Sequence, residues 1–204
     1  MPIEIDEPSG DRAVAIPPVG LRAIVLPFDG VWPRIAADAW VAPGAVVVGD
    51  VEIGSGATVW FQTTIRGDVA PVRIGARSNV QDGAVLHVDP GTPCLVGEDV
   101  TIGHGAIVHG TRVGDGATIG MGAIVLSRST IGAGAVVAAG ALVAEDAVVA
   151  PDALVMGVPA KERGALDPER RAALAGIPAR YTALGARYRV ALALDERPER
   201  TGGR

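Results

Sequence analysis

Residues 113–137 read VGDGATIGMGAIVLSRSTIGAGAVV, and an aliphatic residue stands at every sixth position of this stretch. The same spacing extends in both directions along the chain. A period of six matches neither an α-helix, which repeats every 3.6 residues, nor an ordinary strand, which repeats every two. It indicates a coil with a fixed repeat. With a few irregular offsets, the series comprises Ile35, Val41, Val47, Ile53, Val59, Ile65, Ile74, Val80, Leu86, Val96, Ile102, Val108, Val113, Ile119, Val125, Ile131, Val137, Val143, Val149 and Val155.

This period predicts an all-β solenoid, a β-helix in which three short strands and three turns form one coil. The aliphatic residues point inward, and neighbouring coils stack about 4.8 Å apart. Composition agrees, because 28 glycines allow tight corners and the 3% aromatic content suits a core of stacked aliphatic side chains. The spacing widens after Ile65 and after Leu86, and these two insertions predict loops ejected from the coil on a functional face.

The chain beyond the repeat has a different character, rich in Ala, Arg and Leu. Asp167 followed by proline predicts a helix start, and Pro178 predicts a kink. Tyr181, Leu184, Tyr188 and residues 190–194 predict an apolar helix face that packs along the β-helix. The sequence thus predicts three regions: an N-terminal extension over residues 1–22, a β-helix over 23–158, and a C-terminal helical segment over 159–204. We expect the extension and the last residues to be disordered.

Charge and composition exclude several classes of function. A net charge of −5 and a pI near 5.2 disfavour nucleic acid and anionic lipid as partners. The single Cys94 and an N-terminus without a secretory pattern predict a cytoplasmic protein. Glycine and charged residues interrupt every apolar run before the roughly 18 residues that a membrane helix needs.

All three histidines of the chain lie between residues 87 and 109. Each coil has three strands, which form the three edges of a triangle. His87 and His109 each follow an inward residue on the same edge, so they point outward on adjacent coils and could share one metal ion. His104 lies on another edge and cannot turn toward them within one chain. A cyclic trimer would bring it to the pair of a neighbouring chain. Three imidazoles and one open position make a catalytic zinc site; the alternative is that they are ordinary surface histidines.

Four stretches carry a family resemblance: IRGDV, SNVQDGAVLHVDPGTPCLVG, VTIGHGAIVHG and IGMGAIV. Together they resemble the γ-class carbonic anhydrases over about residues 23–161. The resemblance implies left-handed β-helices assembled as a homotrimer, with three metal sites between subunits. It implies reversible hydration of CO2 to bicarbonate by a metal-bound hydroxide. Zinc is the expected metal, although three imidazoles also accept Fe2+ or Co2+.

The resemblance also implies roles for individual residues. His87 and His109 would be metal ligands from one subunit, and His104 the ligand from the next. Arg66 and Asp68 resemble an ion pair at the subunit interface. That pair could be purely structural, or Arg66 could also bind bicarbonate through its planar guanidinium.

Three further residues resemble members of the family's active site. Gln81 matches the residue that hydrogen-bonds the hydroxide. Asn79 matches an amide that helps orient the substrate, with a turn amide without chemistry as the alternative. Tyr181 resembles a tyrosine near the site.

The proton-transfer residues depart from the family pattern. Val69 stands directly after RGD, where the prototype has an acidic residue, and the loop over residues 88–95 contains only Asp89 as an acid. We therefore expect weak carbonic anhydrase activity. Cys94 is expected to have a packing role.

Two other functions stay open at this point. One is hydrolysis or transfer of an acyl group from a coenzyme A thioester, for which Lys161 and Arg163 are the candidate phosphate-binding residues. The other is a structural or assembly role with low activity, which the complete set of histidines disfavours.

Overall fold

The structure, a computed structural model, describes residues 22–193. Most of the predicted N-terminal extension and the last residues of the chain lie outside this range. The chain forms a left-handed parallel β-helix followed by two helices, as predicted. Its strands are Ile24–Leu26 (β1), Arg34–Ile35 (β2), Trp40–Val41 (β3), Val46–Ile53 (β4), Thr58–Val59 (β5), Thr64–Ile74 (β6), Asn79–Val80 (β7), Val85–His87 (β8), Cys94–Val96 (β9), Thr101–Ile102 (β10), Ile107–His109 (β11), Arg112–Val113 (β12), Thr118–Ile119 (β13), Ile124–Val125 (β14), Thr130–Ile131 (β15), Val136–Val137 (β16), Leu142–Val143 (β17), Val148–Val149 (β18), Ala153–Met156 (β19) and Lys161–Ala165 (β20). The helices are Pro168–Ala175 (α1) and Ile177–Ala193 (α2).

The strands stack into three parallel ladders, which we call the first, second and third faces. The first face contains β2, β9, β12, β15 and β18, and the second contains β3, β5, β7, β10, β13, β16 and β19. The third contains β1, β8, β11, β14 and β17. The long strands β4 and β6 run from the third face onto the first and join these two faces into one twelve-stranded sheet.

The repeated aliphatic residues form the core inside the coil. From Val47 to Val155, every member of the series is at most 7% exposed, so the inward assignment is confirmed. Burying each of these Val, Ile or Leu side chains fully stabilises the folded state by roughly 1.5–3 kcal/mol relative to leaving it exposed. Cys94 lies in the same core, where burial raises the pKa of its thiol to about 12. Its packing role is confirmed, because reactive cysteines need an accessible thiolate.

The two insertions behave differently. The first was predicted as an ejected loop, and this was wrong: the chain remains in β6, with residues 68–71 bulging opposite Asp50 of β4. The ladder with β4 continues on both sides of this bulge, which satisfies the backbone and keeps the segment extended. The second insertion does leave the coil. It turns at Asp89, whose carbonyl accepts the Thr92 N–H at 2.9 Å.

The C-terminal segment begins with a strand, although the sequence predicted only helix there. β20 turns back and pairs antiparallel with β19 at the end of the solenoid. The Asp167 side chain then caps α1 by accepting the Arg170 N–H at 2.9 Å, as its position before Pro168 predicted. The helix is interrupted at Gly176, two residues before Pro178.

Helix α2 covers the second face through an aromatic cluster. Tyr181, Leu184 and Tyr188 pack on Trp40 and Trp60, as the apolar pattern predicted. The pattern was wrong beyond Tyr188, because Val190 is 62% and Leu192 39% exposed. The contacts of α2 run along β7, β5 and β3, so its C-terminal end passes the first coil that the structure describes, and among residues 22–193 no further strand lies beneath it. No helix in residues 22–193 is long and apolar enough to cross a membrane.

Candidate metal centre

His87 and His109 form a pair on the third face. They end the neighbouring strands β8 and β11, whose parallel register places them directly opposite each other. His87 Nδ1 lies 2.9 Å from His109 Nε2. Zinc–imidazole bonds of about 2.0–2.1 Å in a tetrahedral site separate two ligand nitrogens by about 3.3 Å. The pair is therefore close to the spacing that one shared ion requires.

The other ring nitrogen of His87 faces a carboxylate. Nε2 lies 3.1 Å from Asp68 Oδ1, and Arg66 forms an ion pair with the second oxygen of Asp68. Burial acts to raise the pKa of Asp68, but hydrogen bonds from His87, from its own backbone and from Arg66 outweigh it and leave that pKa below the usual value. Asp68 is therefore a carboxylate at neutral pH and holds the His87 ring in place.

The other ring nitrogen of His109 faces a hydroxyl. Nδ1 lies 2.8 Å from Ser127 Oγ, which in turn lies 2.6 Å from Asp89 Oδ2. The hydrogen bond from Ser127 lowers the pKa of Asp89 against the opposing effect of desolvation, and the charge of His109 adds to the lowering. The bulge that begins at Asp68 and the ejected loop thus each supply one acid to the histidine pair.

His104 lies on the second face, in the turn after β10. Its Nδ1 is 2.8 Å from Asp82 Oδ2, and the Tyr181 hydroxyl of α2 is 3.4 Å from its Nε2. Desolvation, with the nearby charge of Asp82, raises the pKa of Tyr181, so this phenol is neutral. A groove of about 320 Å³ opens here between α2 and the coil, with Gln81 in its wall.

Two buried amides support this groove. Gln81 Nε2 donates to Asn79 Oδ1 at 3.0 Å, and Asn79 Nδ2 donates to Thr101 Oγ1 at 3.0 Å. Asn79 is fully buried. In this chain its amide therefore holds Gln81, which borders the groove.

The eight residues singled out in the sequence fall into two groups. The third face carries Arg66, Asp68, His87 and His109. Asn79, Gln81 and His104 lie on the second face, and Tyr181 reaches His104 from α2. Within residues 22–193, one chain gathers no group of three His, Cys, Asp or Glu side chains able to hold a metal ion. A single chain thus presents these residues as two separate groups.

Sequence reasoning missed two residues that contact the histidines, Asp82 and Ser127. A signal was available in the coil spacing. Asp82 precedes His104 by 22 residues (104 − 82), the interval that separates His87 from His109. Ser127 directly follows Leu126, the residue one coil beyond His109. Residues one coil away from a candidate ligand are therefore its expected neighbours.

Comparisons with known proteins agree with this fold. The bacterial transferase hexapeptide family (six repeats) matches residues 33–67 and 110–145. A carbonic anhydrase from Geobacillus kaustophilus is 40% identical over 54% of this chain and 61% of its own length. The mitochondrial gamma carbonic anhydrase 1 of Arabidopsis thaliana is 40% identical over 46% of this chain and 36% of its own length. The chain thus spans less than two thirds of these relatives.

A solved structure covers more of the chain. The putative acetyltransferase from Bacillus cereus superposes with a TM-score of 0.81 at 39% identity, covering 83% of this chain and 98% of that one. Fold and site together define a hexapeptide-repeat β-helix protein with a paired-histidine surface. The chain belongs to the hexapeptide-repeat family, and its resemblance to the γ-class carbonic anhydrases is confirmed by its curated relatives.

Proposed function

We propose that this protein is a γ-type carbonic anhydrase-like metalloenzyme that hydrates CO2 reversibly at sites shared between subunits of a homotrimer. The observation that carries the proposal is the convergence of His87 Nδ1 and His109 Nε2 at 2.9 Å on an outward face. The contacts of Asp68 with His87 and of Asp82 with His104 add support, since carboxylates commonly orient the imidazoles that bind zinc. A cytoplasmic location is part of the proposal and rests on the single cysteine.

The donor set fits zinc. Imidazole nitrogens are ordinary zinc ligands, and Co2+ or Fe2+ would fit the same set. A bound ion of this kind supplies a Lewis acid that lowers the pKa of a coordinated water to about 7. The two acids near the pair, Asp68 and Asp89, favour a cation at this position electrostatically.

The chemical character of the three faces supports the trimer. Outward side chains on the third face form a mostly apolar column, in which Ile107 is 38% exposed and Thr64 is polar; the column comprises Val46, Thr64, Val85, Ile107, Ile124 and Leu142. The corresponding column on the first face is charged in its first coils, where Glu52 pairs with Arg34 and Arg73, and is mixed beyond them; its later members are Leu95, Arg112, Thr130 and Val148. An apolar column suits burial against another subunit. Docking the third face of one subunit against the turn after β10 of its neighbour would bring His104 to the histidine pair.

The remaining residues have roles in substrate handling. Arg66 is 45% exposed beside the pair, and its guanidinium is suited to hold bicarbonate. Gln81 borders the groove next to His104, where its amide can orient a reacting oxygen. Asn79 holds Gln81, and Tyr181 positions the His104 ring.

Stopped-flow CO2 hydration by zinc-, cobalt- and iron-loaded protein tests the proposal. We expect hydration above the rate of the metal-free protein for at least one metal. Stoichiometric metal without any hydration would overturn the activity. If hydrolysis of acyl-coenzyme A thioesters were also absent, that outcome would favour the structural or assembly role.

Acyl transfer or thioester hydrolysis is the second candidate. It is favoured by the likeness to the putative acetyltransferase from Bacillus cereus and by the contact between His104 and Asp82, because a carboxylate-held imidazole can act as a general base. Lys161 and Arg163, the candidate phosphate-binding residues, are exposed on β20. Running a panel of acyl-coenzyme A thioesters beside the CO2 assay separates the two activities.

Val69→Glu is expected to raise CO2 hydration by roughly tenfold, because it places a proton acceptor next to Asp68. Val69 is 48% exposed, so a longer side chain has room in solvent. The comparison is with Val69→Gln, which matches glutamate in size but does not accept a proton. Equal rates for the two metal-loaded variants would show that proton export does not limit the reaction.

A further inference from the structure

Two columns of outward side chains continue from the proposed metal site into the later coils. In the turns between the second and third faces, Met121 lies one coil beyond His104, since the Gly122 N–H donates to the His104 carbonyl at 2.8 Å. Ala139 lies one coil further, since the Gly140 N–H donates to the Met121 carbonyl at 2.9 Å. Met121 is 58% exposed. This turn column, His104, Met121 and Ala139, thus changes from polar to apolar after the histidine.

The second column ends the strands of the third face. Leu126 lies one coil beyond His109 and Ala144 two coils beyond it, because each directly follows an inward residue of the same ladder. This strand column, His109, Leu126 and Ala144, has the same order as the turn column: a histidine, a large apolar side chain and an alanine. The two columns cannot touch within one chain, because residues 123–126 alone extend about 10 Å along the third face.

A threefold axis parallel to the solenoid holds the same coil of every subunit at the same height. We propose that the turn column of one subunit packs along the strand column of the next at equal height. Met121 then contacts Leu126 of the partner subunit, and Ala139 contacts Ala144 of the partner subunit. The inference rests on the proposed function, which supplies the trimer and brings His104 to the histidine pair. It adds an apolar seam that closes the metal site toward the later coils.

The match between the two columns selects this height. A shift of one coil in either direction would place Met121 against His109, or Leu126 against His104. Each of these arrangements buries an imidazole against an apolar side chain, which leaves a polar group without a partner and costs free energy. At equal height, histidine meets histidine, and the two large apolar side chains leave water together. A second copy of this chain is therefore the partner that fits the exposed Met121.

Disulfide cross-linking measures the register directly. Two double variants pair residues at equal height: Met121→Cys with Leu126→Cys, and Ala139→Cys with Ala144→Cys. After oxidation of the metal-free protein with diamide, we expect both to run as covalent trimers in non-reducing denaturing electrophoresis, because a disulfide forms where Cα atoms lie within about 7 Å. Cys94 is fully buried and takes no part.

Matched controls shift the pairing by one coil, or about 4.8 Å. They are Met121→Cys with Ala144→Cys, and Ala139→Cys with Leu126→Cys. Because they use the same four positions, the accessibility of each cysteine is unchanged and only the register differs. We expect at least about tenfold less covalent trimer from the shifted pairs, because the added distance exceeds what disulfide geometry allows.

Dissociation of the trimer supplies a second readout that needs no cysteine. Met121→Asp puts a charge into the seam, and we expect the protein concentration at half dissociation to rise by at least about tenfold. Val148→Asp is the control, because Val148 is 79% exposed on the first face, outside the seam. Leu126→Ala adds no charge and only shortens the contact, so its trimers should persist at the concentrations used for elemental analysis.

Cross-links in the shifted pairs as strong as those in the equal-height pairs would overturn the inference, and so would a Met121→Asp trimer as tight as wild type. Trimers that bind zinc and hydrate CO2 but give no equal-height cross-links would overturn this packing alone. A wild-type protein that stays monomeric with zinc and without it would instead refute the shared site of the proposed function, and the inference with it.

Discussion

His87→Ala is expected to reduce bound zinc to background while leaving the β-helix folded. The substitution removes one of the two converging nitrogens, so a single chain would retain only one ligand on its third face. The fold should tolerate the change, because the inward aliphatic residues that form the core are untouched and the His87 side chain is 20% exposed. We expect a loss of about 2 kcal/mol in the free energy of unfolding, the usual value of two hydrogen bonds, because His87 contacts both His109 and Asp68. Elemental analysis and denaturant unfolding measure the two quantities.

Leu126→Ala is the matched control, because Leu126 lies one coil beyond His109 on the same outward column. Its position follows from the register, since Val125 pairs with Val108 and each is followed by the outward residue. It shortens a half-buried side chain there without removing a donor. This variant should keep its zinc. Normal zinc content in His87→Ala would refute the metal centre. Loss of zinc in both variants would mean that any change on this face lowers zinc binding and that the loss is not specific to His87.

The core of the fold was predictable because the period of six is a direct consequence of the coil geometry. One inward side chain per strand must be aliphatic and of similar size, so residues such as Ile119 and Val137 reveal their orientation by spacing alone. The first insertion was misjudged for a related reason. Spacing counts residues between inward positions, but it does not say whether the extra residues leave the sheet or bulge within it, as those next to Asp68 do.

The end of the chain was less predictable. β20 has no repeat to reveal it, and it forms because β19 offers an unpaired edge at the end of the stack. Similarly, the apolar residues near the end of α2 resemble a packing face in sequence. Val190 remains exposed because the first coil ends before the helix does.

The site was predictable to the extent that register determined it. The pairing of His87 with His109 follows from counting coils, and the structure places them opposite each other. The hydrogen bonds around them do not follow from counting. Ser127 reaches His109 through its rotamer and reaches Asp89 through the path of an irregular loop, and neither is encoded in the repeat.

Mixing subunits should show which chain donates which ligand. If one chain supplies both His87 and His109 and the next supplies His104, a His104→Ala chain followed by a His87→Ala chain forms one complete site. Random reassembly of equal amounts makes about three quarters of the trimers mixed, each with one of three sites complete, so about one quarter of wild-type zinc should return. Unfolding the two variants together, refolding them and measuring zinc per trimer tests this.

A second mixture tests whether His87 and His109 of one chain serve the same site. His87→Ala combined with His109→Ala should recover no zinc, because no chain in that mixture carries both nitrogens that converge at 2.9 Å. Reassembly must be verified independently, by tagging one variant and isolating trimers that contain both. Zinc in the second mixture would mean that His87 and His109 serve different sites, and its absence from verified mixed trimers of the first would mean that His104 is not the third ligand. Recovery in the first mixture alone is the pattern that a shared site requires, since only there does an intact pair on one third face meet an intact His104 on its neighbour.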